Sequence, residues 1–207
     1  MKTKIFIAPV IFVFFIFSCK KETNQLIDIF PNNVGFEWTY RLYDNNNVNT
    51  IKVQIVGEGV LPNGNNAKIW RYTYIYPSKT YIDSVWVTDS NNDVRFYFNP
   101  CWSCTNQMPP ERLHYILPFI VGQYWYTDAD YGDTTKVLKQ ISVTVPAGSY
   151  NDVFCISRVQ GYVENSWKFD TLYFKEHVGL VKFNQHENSL GPSIGDGTWE
   201  LIKYNFK

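Results

Sequence analysis

Three groups of side chains have types and spacings that could do chemistry. The first is Cys19, which follows Ile16-Phe17-Ser18 at the end of an apolar run. A cysteine thiolate is the nucleophile that lipid transfer requires, and a small residue before it marks the cut of an export signal. Lipidation is therefore expected on Cys19. The second group is Cys101-Trp102-Ser103-Cys104, a C-x-x-C. In an oxidising compartment this spacing is expected to close as a local disulfide. A redox role would need a helix start in a thioredoxin-like βαβ unit, whereas Asn99-Pro100 and Met108-Pro109-Pro110 describe a constrained loop. Zinc would need two further ligands, and Cys155 with His114 do not form a second close pair. Cys155 then reads as a small buried apolar residue.

The third group is Asp128, Asp130 and Asp133, whose clustered oxygens suit calcium. The twelfth position of such a loop is Lys139 where a bidentate Glu is needed, so a hairpin turn is the better reading. His114, His177 and His186 are scattered, and no Ser or Cys sits in a G-x-S-x-G elbow. No catalytic residue, metal or cofactor is expected. Asp83-Ser84-Val85, Asp133-Thr134-Thr135 and Asp170-Thr171-Leu172 resemble an O-glycosylation pattern of some exported bacterial proteins. Ser84, Thr134 and Thr171 are the candidate acceptors, with Thr134 foremost because it follows a turn.

The segment that positions Cys19 has the form of a signal peptide. Lys2 and Lys4 are followed by an apolar run from Ile5 to Phe17, and polarity returns abruptly at Lys20-Lys21-Glu22. The run is shorter than the roughly 20 apolar residues of a membrane span. The expected organisation is a signal-peptide helix over 1–18, a lipidated tether over 19–31 and one domain over 32–207. The address is a cell-envelope membrane, with the outer membrane preferred and its periplasmic face and cell surface both open. Acyl chains on Cys19 would hold the chain there, each buried methylene contributing about 0.8 kcal/mol.

Nineteen basic and nineteen acidic side chains balance, and losing Lys2 and Lys4 leaves the mature chain two units negative. With no basic cluster, nucleic acid is excluded as a partner. Aromatic residues make up 18% of the chain, as many as the charged ones. That excess asks for a large core or a binding surface.

Apolar and polar residues alternate with a period of two, which favours strands with one buried face. Phe36–Leu42 alternates in this way, as do Ile51, Val53 and Ile55. Trp70, Tyr72, Tyr74 and Tyr76 share one face of a third run, with Ile69, Arg71, Thr73 and Ile75 opposite. Nine further runs follow at 80–88, 94–99, 112–117, 123–128, 134–145, 153–163, 167–175, 180–185 and 199–206. Asn-rich and Gly-containing turns separate them. The expected fold is all-β, an antiparallel curved sheet closing into an incomplete barrel or sandwich of about 10–12 strands. Trp38, Tyr40 and Trp125 are expected in the core.

Four elements carry a further signal: Gly35-Phe36-Glu37-Trp38-Thr39-Tyr40, Leu117-Pro118-Phe119-Ile120-Val121-Gly122-Gln123-Tyr124-Trp125, Val143-Thr144-Val145-Pro146-Ala147-Gly148-Ser149-Tyr150, and Tyr173-Phe174-Lys175-Glu176-His177-Val178-Gly179-Leu180-Val181-Lys182. In this order they resemble uncharacterised bacterial exported proteins and lipoproteins with DUF3108-like domains. The resemblance implies an all-β domain, distantly like lipoprotein carriers, and implies no reaction and no functional residues.

Three function classes are left. One is a binding or carrier lipoprotein, holding an apolar or amphipathic ligand, or a carbohydrate on the Trp70, Tyr72, Tyr74 and Tyr76 face. A second is a structural lipoprotein docking an envelope protein through an exposed aromatic surface. The third, a thiol oxidoreductase using Cys101 and Cys104, is the weakest.

Overall fold

The computed structural model describes residues 30–44, 47–90, 92–98, 111–128, 133–162, 166–188 and 197–206. Twelve strands follow one another: β1 (Glu37–Asp44), β2 (Asn47–Val60), β3 (Asn66–Ile75), β4 (Thr80–Ser90), β5 (Asp93–Phe98), β6 (Glu111–Ile116), β7 (Tyr124–Asp128), β8 (Asp133–Val145), β9 (Gly148–Tyr162), β10 (Ser166–Lys175), β11 (Gly179–Asn188) and β12 (Gly197–Asn205). They form one antiparallel sheet in the order β6-β5-β4-β3-β2-β1-β12-β11-β10-β9-β8-β7. The chain is thus a meander that runs out along six strands and returns along the other six. Its first and last strands pair in the middle, and the sheet rolls into a nearly closed barrel.

The inward faces follow the period-two pattern. Trp38, Tyr40 and Leu42 of β1 stand opposite Val53, Ile51 and Asn49 of β2, and all six are buried. A slip of one residue would turn this whole set outward, so the apolar pattern fixes the register. Seven irregularities among the described residues, including Ile55/Gly57, Val137/Lys139 and Tyr173/Phe174, bend the strands. Bulges of this kind raise local twist, which a closing sheet needs.

One end of the barrel is plugged. Phe30 packs its ring 4.9 Å from Phe174 and 5.1 Å from Tyr115, and Phe119 sits among Trp125, Phe154 and Phe174. Among the described residues, β11 and β12 pair only from Lys182–Glu200 to Gln185–Gly197. Below that they part, and carbonyls that a full ladder would satisfy need other donors. Trp38 Nε1 donates to Val178 O at 2.7 Å, and Tyr40 Oη donates to Leu180 O at 3.0 Å. The Ala147 amide donates to Leu201 O at 2.9 Å, which seats the β8–β9 turn at the split. The four sequence elements that carry the family resemblance therefore converge on this end. Gly148 leads out of the β8–β9 turn at φ 144° and Gly122 sits in the β6–β7 connection at φ 90°, values that a side chain with Cβ resists.

The seam lies between β6 and β7. No ladder joins them among the described residues, but Trp125 Nε1 donates to His114 O across the gap at 2.9 Å. The three expected core aromatics, Trp38, Tyr40 and Trp125, are all buried and all hydrogen-bonded to distant carbonyls.

Twelve expected runs became the twelve strands, with β2 extending beyond the expected 51–55 at both ends, β11 running on to Asn188, and the start of β9 displaced. β9 begins at Gly148, five residues before the expected Val153, because Val145 pairs with Gly148 across a two-residue turn. The Asp128–Asp133 segment is a hairpin connection, with these two residues paired across β7 and β8. The signal-peptide helix and the tether to position 29 lie outside the described residues.

Replacing Trp38 by Phe removes the donor to Val178 O and leaves a buried carbonyl bare. Such a loss costs about 1–3 kcal/mol, and urea unfolding should show it as a lower midpoint with an unchanged slope.

Candidate functional site

A cavity of about 230 Å³ lies inside the barrel. Its walls come from β1–β5, β6 and β9–β12, and Phe30 with Pro31 border it at the plugged end. Trp38 and Trp70 stack at 5.3 Å, Tyr72 and Tyr74 stack at 6.4 Å, and Trp199 meets Tyr74 edge-on at 6.3 Å. The aromatics thus form a continuous lining held by one another. Trp70 also donates Nε1–H to Asn32 Oδ1 at 2.9 Å, so its ring orientation is fixed.

Two polar side chains face each other in this apolar setting. On β9, Phe154, Ile156 and Arg158 share the inner face, and on β10 their opposite numbers are Phe174, Leu172 and Asp170. Arg158 is 5% exposed and Asp170 1%. Arg158 Nε donates to Asp170 Oδ2 at 2.8 Å, and Nη2 donates to the same oxygen. Burial works against the guanidinium's charge, but the Asp170 carboxylate and the Tyr115 hydroxyl together outweigh it and hold the Arg158 pKa above its ordinary value. The Tyr115 hydroxyl stands on the same guanidinium, while Asp170 Oδ1 is buried without a hydrogen-bond partner. Arg158 lines the cavity together with Gln185, Asp83 and the Tyr115 ring.

Burial keeps the neighbouring phenols protonated. Desolvation pushes Tyr40 and Tyr72 well above the ordinary 10.0, and Tyr72 is raised further by Tyr74 and other neighbours. It pushes Tyr74 up to about 12, with help from Asp83. Tyr115 is raised too, against the opposing pull of Arg158. These hydroxyls remain hydrogen-bond donors throughout the physiological range.

Trp70, Tyr72 and Tyr74 line the cavity, as a ligand-facing role would require. The fourth residue of that face, Tyr76, lies past the end of β3, where its ring meets Tyr81 edge-on at 5.8 Å and Lys79 stands over it. Because Trp70 is buried and this face turns inward, it is not a flat exposed platform for a sugar. Ser84 in β4, Thr134 in β8 and Thr171 in β10 are half-buried strand residues. Their flanking aspartates differ: Asp83 borders the cavity while Asp170 is locked to Arg158.

Cys19, Cys101 and Cys104 lie outside the described residues, and the C-x-x-C falls in the connection from β5 to β6. Cys155 is free and buried, and desolvation raises its thiol pKa, as suits an inert core residue. His177 occupies the β10–β11 turn at φ 63° and is exposed, while His114 Nε2 lies 2.5 Å from Asp93 Oδ1. Among the described residues no group of three His, Cys, Asp or Glu is placed to hold a metal.

Sequence reasoning missed Arg158 and Asp170. The signal was present: each continues an inward apolar series, Phe154-Ile156-Arg158 and Asp170-Leu172-Phe174, at a position where alternation calls for an apolar side chain.

No protein-family model matches the sequence, and a search of curated proteins gives no match. Among solved structures, the chain is similar to one provisionally described as an exported protein with a YmcC-like fold, from Bacteroides fragilis NCTC 9343. The two share 14% identity at a TM-score of 0.55, over 86% of this chain and 98% of that one. A second is provisionally described as a lipoprotein from Parabacteroides distasonis ATCC 8503, with 16% identity and a TM-score of 0.46 over 86% and 98%. The first likeness shows that the barrel is a fold shared with that protein.

Removing only Arg158 would strand the Asp170 carboxylate in an apolar wall. Arg158→Met is expected to lower stability by about 3–5 kcal/mol, and Arg158→Met with Asp170→Leu to recover most of that loss; urea unfolding of both variants checks it. The raised phenols set an alkaline limit. Their neutral forms contribute full stability below pH 10, and that contribution is lost as pH climbs toward the folded-state values. Urea midpoints measured from pH 8 to 12 should fall above 10, less steeply in Tyr74→Phe.

Proposed function

We propose that this chain is an exported, lipid-anchored envelope protein whose barrel binds a small apolar or amphipathic ligand. The observation that carries the binding role is the cavity: about 230 Å³, inside the sheet, with an aromatic lining that includes Trp38, Trp70, Tyr72, Tyr74 and Trp199. A well-packed β interior of this kind leaves few voids larger than a water molecule, and a preformed apolar pocket with a few polar groups is the usual form of a ligand site. An exported, lipidated address rests on the charged start, the apolar run and Ser18-Cys19. The barrel shared with a provisionally described exported protein agrees with that address. Membership of a DUF3108-like family is part of the same proposal and rests on the four elements gathered at the plugged end.

A second reading is docking to an envelope protein. It draws on Ile75 and Ile82, which are exposed on one face of the β3–β4 hairpin near its tip.

Native mass spectrometry of the chain from Lys20 onward, purified without added ligand, tests the choice. That chain keeps every described residue. A discrete extra mass lost on denaturation is the expected result and gives the ligand class. A clean apoprotein mass, unchanged after incubation with envelope lipid extract, sinks the cavity reading and favours the docking one.

A further inference from the structure

We infer that the cavity takes a small organic amine, its ammonium head held at the rim by the Asp83 carboxylate and the Tyr72 and Tyr74 rings, and its apolar body among the tryptophans. The inference rests on the cavity-binding reading and gives it a ligand chemistry.

The charge of the lining carries the argument. Among the described residues, only Arg158 and Asp83 bring a charge to the lining. Arg158 is already matched: Nε and Nη2 both donate to Asp170 Oδ2, and the Tyr115 hydroxyl stands on the same guanidinium. Asp83 has no such counterpart. Its Oδ1 accepts the Ser84 amide at 2.7 Å, and it forms no ion pair among the described residues. The lining is therefore left with a single unmatched charge, and it is negative. A ligand carboxylate would be repelled there, whereas an ammonium group would neutralise it.

Strand register sets this charge beside aromatic rings. Val85 and Val87 are buried on the inner face of β4, and alternation puts Asp83 on the same face. There it stands opposite Tyr72 of β3, while Val85 faces Trp70 and Tyr81 faces Tyr74. Desolvation is the main cause that raises the Tyr72 and Tyr74 pKa, and the Asp83 charge adds to both, so its field reaches these two phenols. Neutral phenol and indole rings carry a negative face, which attracts a cation within about 6 Å of the ring centroid. The Tyr72 and Tyr74 rings are 6.4 Å apart and Trp199 is 6.3 Å from Tyr74, so a head group beside Asp83 has several rings in reach. Lys79 does not line the cavity; its Nζ is engaged 4.7 Å above the Tyr81 ring. Asp83 is exposed, so an ammonium at the rim keeps part of its water and avoids the full cost of burying an ion.

Volume bounds the size. An apolar cavity of about 150 Å³ accepts benzene, so about 230 Å³ corresponds by proportion to about nine heavy atoms. That admits an arylalkylamine and is far too small for a two-chain aminolipid. 2-Phenylethylamine, 2-phenylethanol and propylbenzene share that size and differ in the terminal group.

Each probe is titrated at pH 7 into the chain from Lys20 onward, followed by the indole N–H signals of Trp38, Trp70 and Trp199 in nuclear magnetic resonance spectra. The same titrations are run on Asp83→Asn, which keeps the side-chain shape and the acceptor for the Ser84 amide, its fold checked by thermal unfolding. 2-Phenylethylamine, protonated at this pH, is expected to bind about tenfold more tightly than 2-phenylethanol. Asp83→Asn is expected to cut that preference about fivefold or more, with the affinity for propylbenzene held within about twofold. Equal or tighter binding of the alcohol, or a preference unchanged in the variant, overturns the inference while leaving cavity binding intact. If none of the three probes shifts any indole signal, the cavity-binding reading fails with it.

Discussion

Rolling a sheet into a barrel commits its backbone as well as its side chains. Where β11 and β12 part below Lys182–Glu200, the carbonyls of Leu180 and Leu201, and that of Val178 in the turn before β11, are each met from another part of the chain. Trp38 and Tyr40 supply two donors from β1, and Ala147 supplies the third from the β8–β9 turn. Each buried backbone group left bare would cost about as much as a lost hydrogen bond. These three bonds tie β1 to the start of β11 and the β8–β9 turn to β12 at one end. The rest of the molecule, including a cavity that does not collapse, depends on that end being fixed.

The tie also explains the aromatic excess. Trp38 and Tyr40 are large because they must reach across from one strand to a carbonyl on another, and only a ring with a polar tip both fills the space and donates the bond. Trp125 does the same at the seam, reaching His114 O where β6 and β7 fail to pair. Aromatics that could have suggested a binding surface thus divide by task. Phe30, Phe119, Phe154 and Phe174 form the plug, while Trp70, Tyr72, Tyr74 and Trp199 surround the space that the plug leaves open.

Placing a charged pair in that wall has a clear penalty and no packing benefit, since apolar residues of similar volume would serve stability as well. Asp170 neutralises Arg158 within the wall and the Tyr115 hydroxyl stands beside the guanidinium, so this stretch of the lining carries no net charge.

The sequence by itself determined the strands and their inward faces, and the address stands as a reading of that sequence. A period of two is a local property, so Phe36–Leu42 or Trp70–Tyr76 could be read as strands without knowing their partners, and an export signal is linear by nature. Lipidation of Cys19 and the state of Cys101 and Cys104 stay at the level of that reading, because they lie outside the described residues. Tertiary structure decided which strands adjoin, that β1 pairs with β12, and that motifs more than a hundred residues apart meet at the plug. It also decided that Tyr76 leaves the cavity its three neighbours line, and that Arg158 faces Asp170. Alternation tells which side a residue faces, but closure of the sheet decides what it finds there. That depends on ladder register and bulges summed over twelve strands, which no local pattern records.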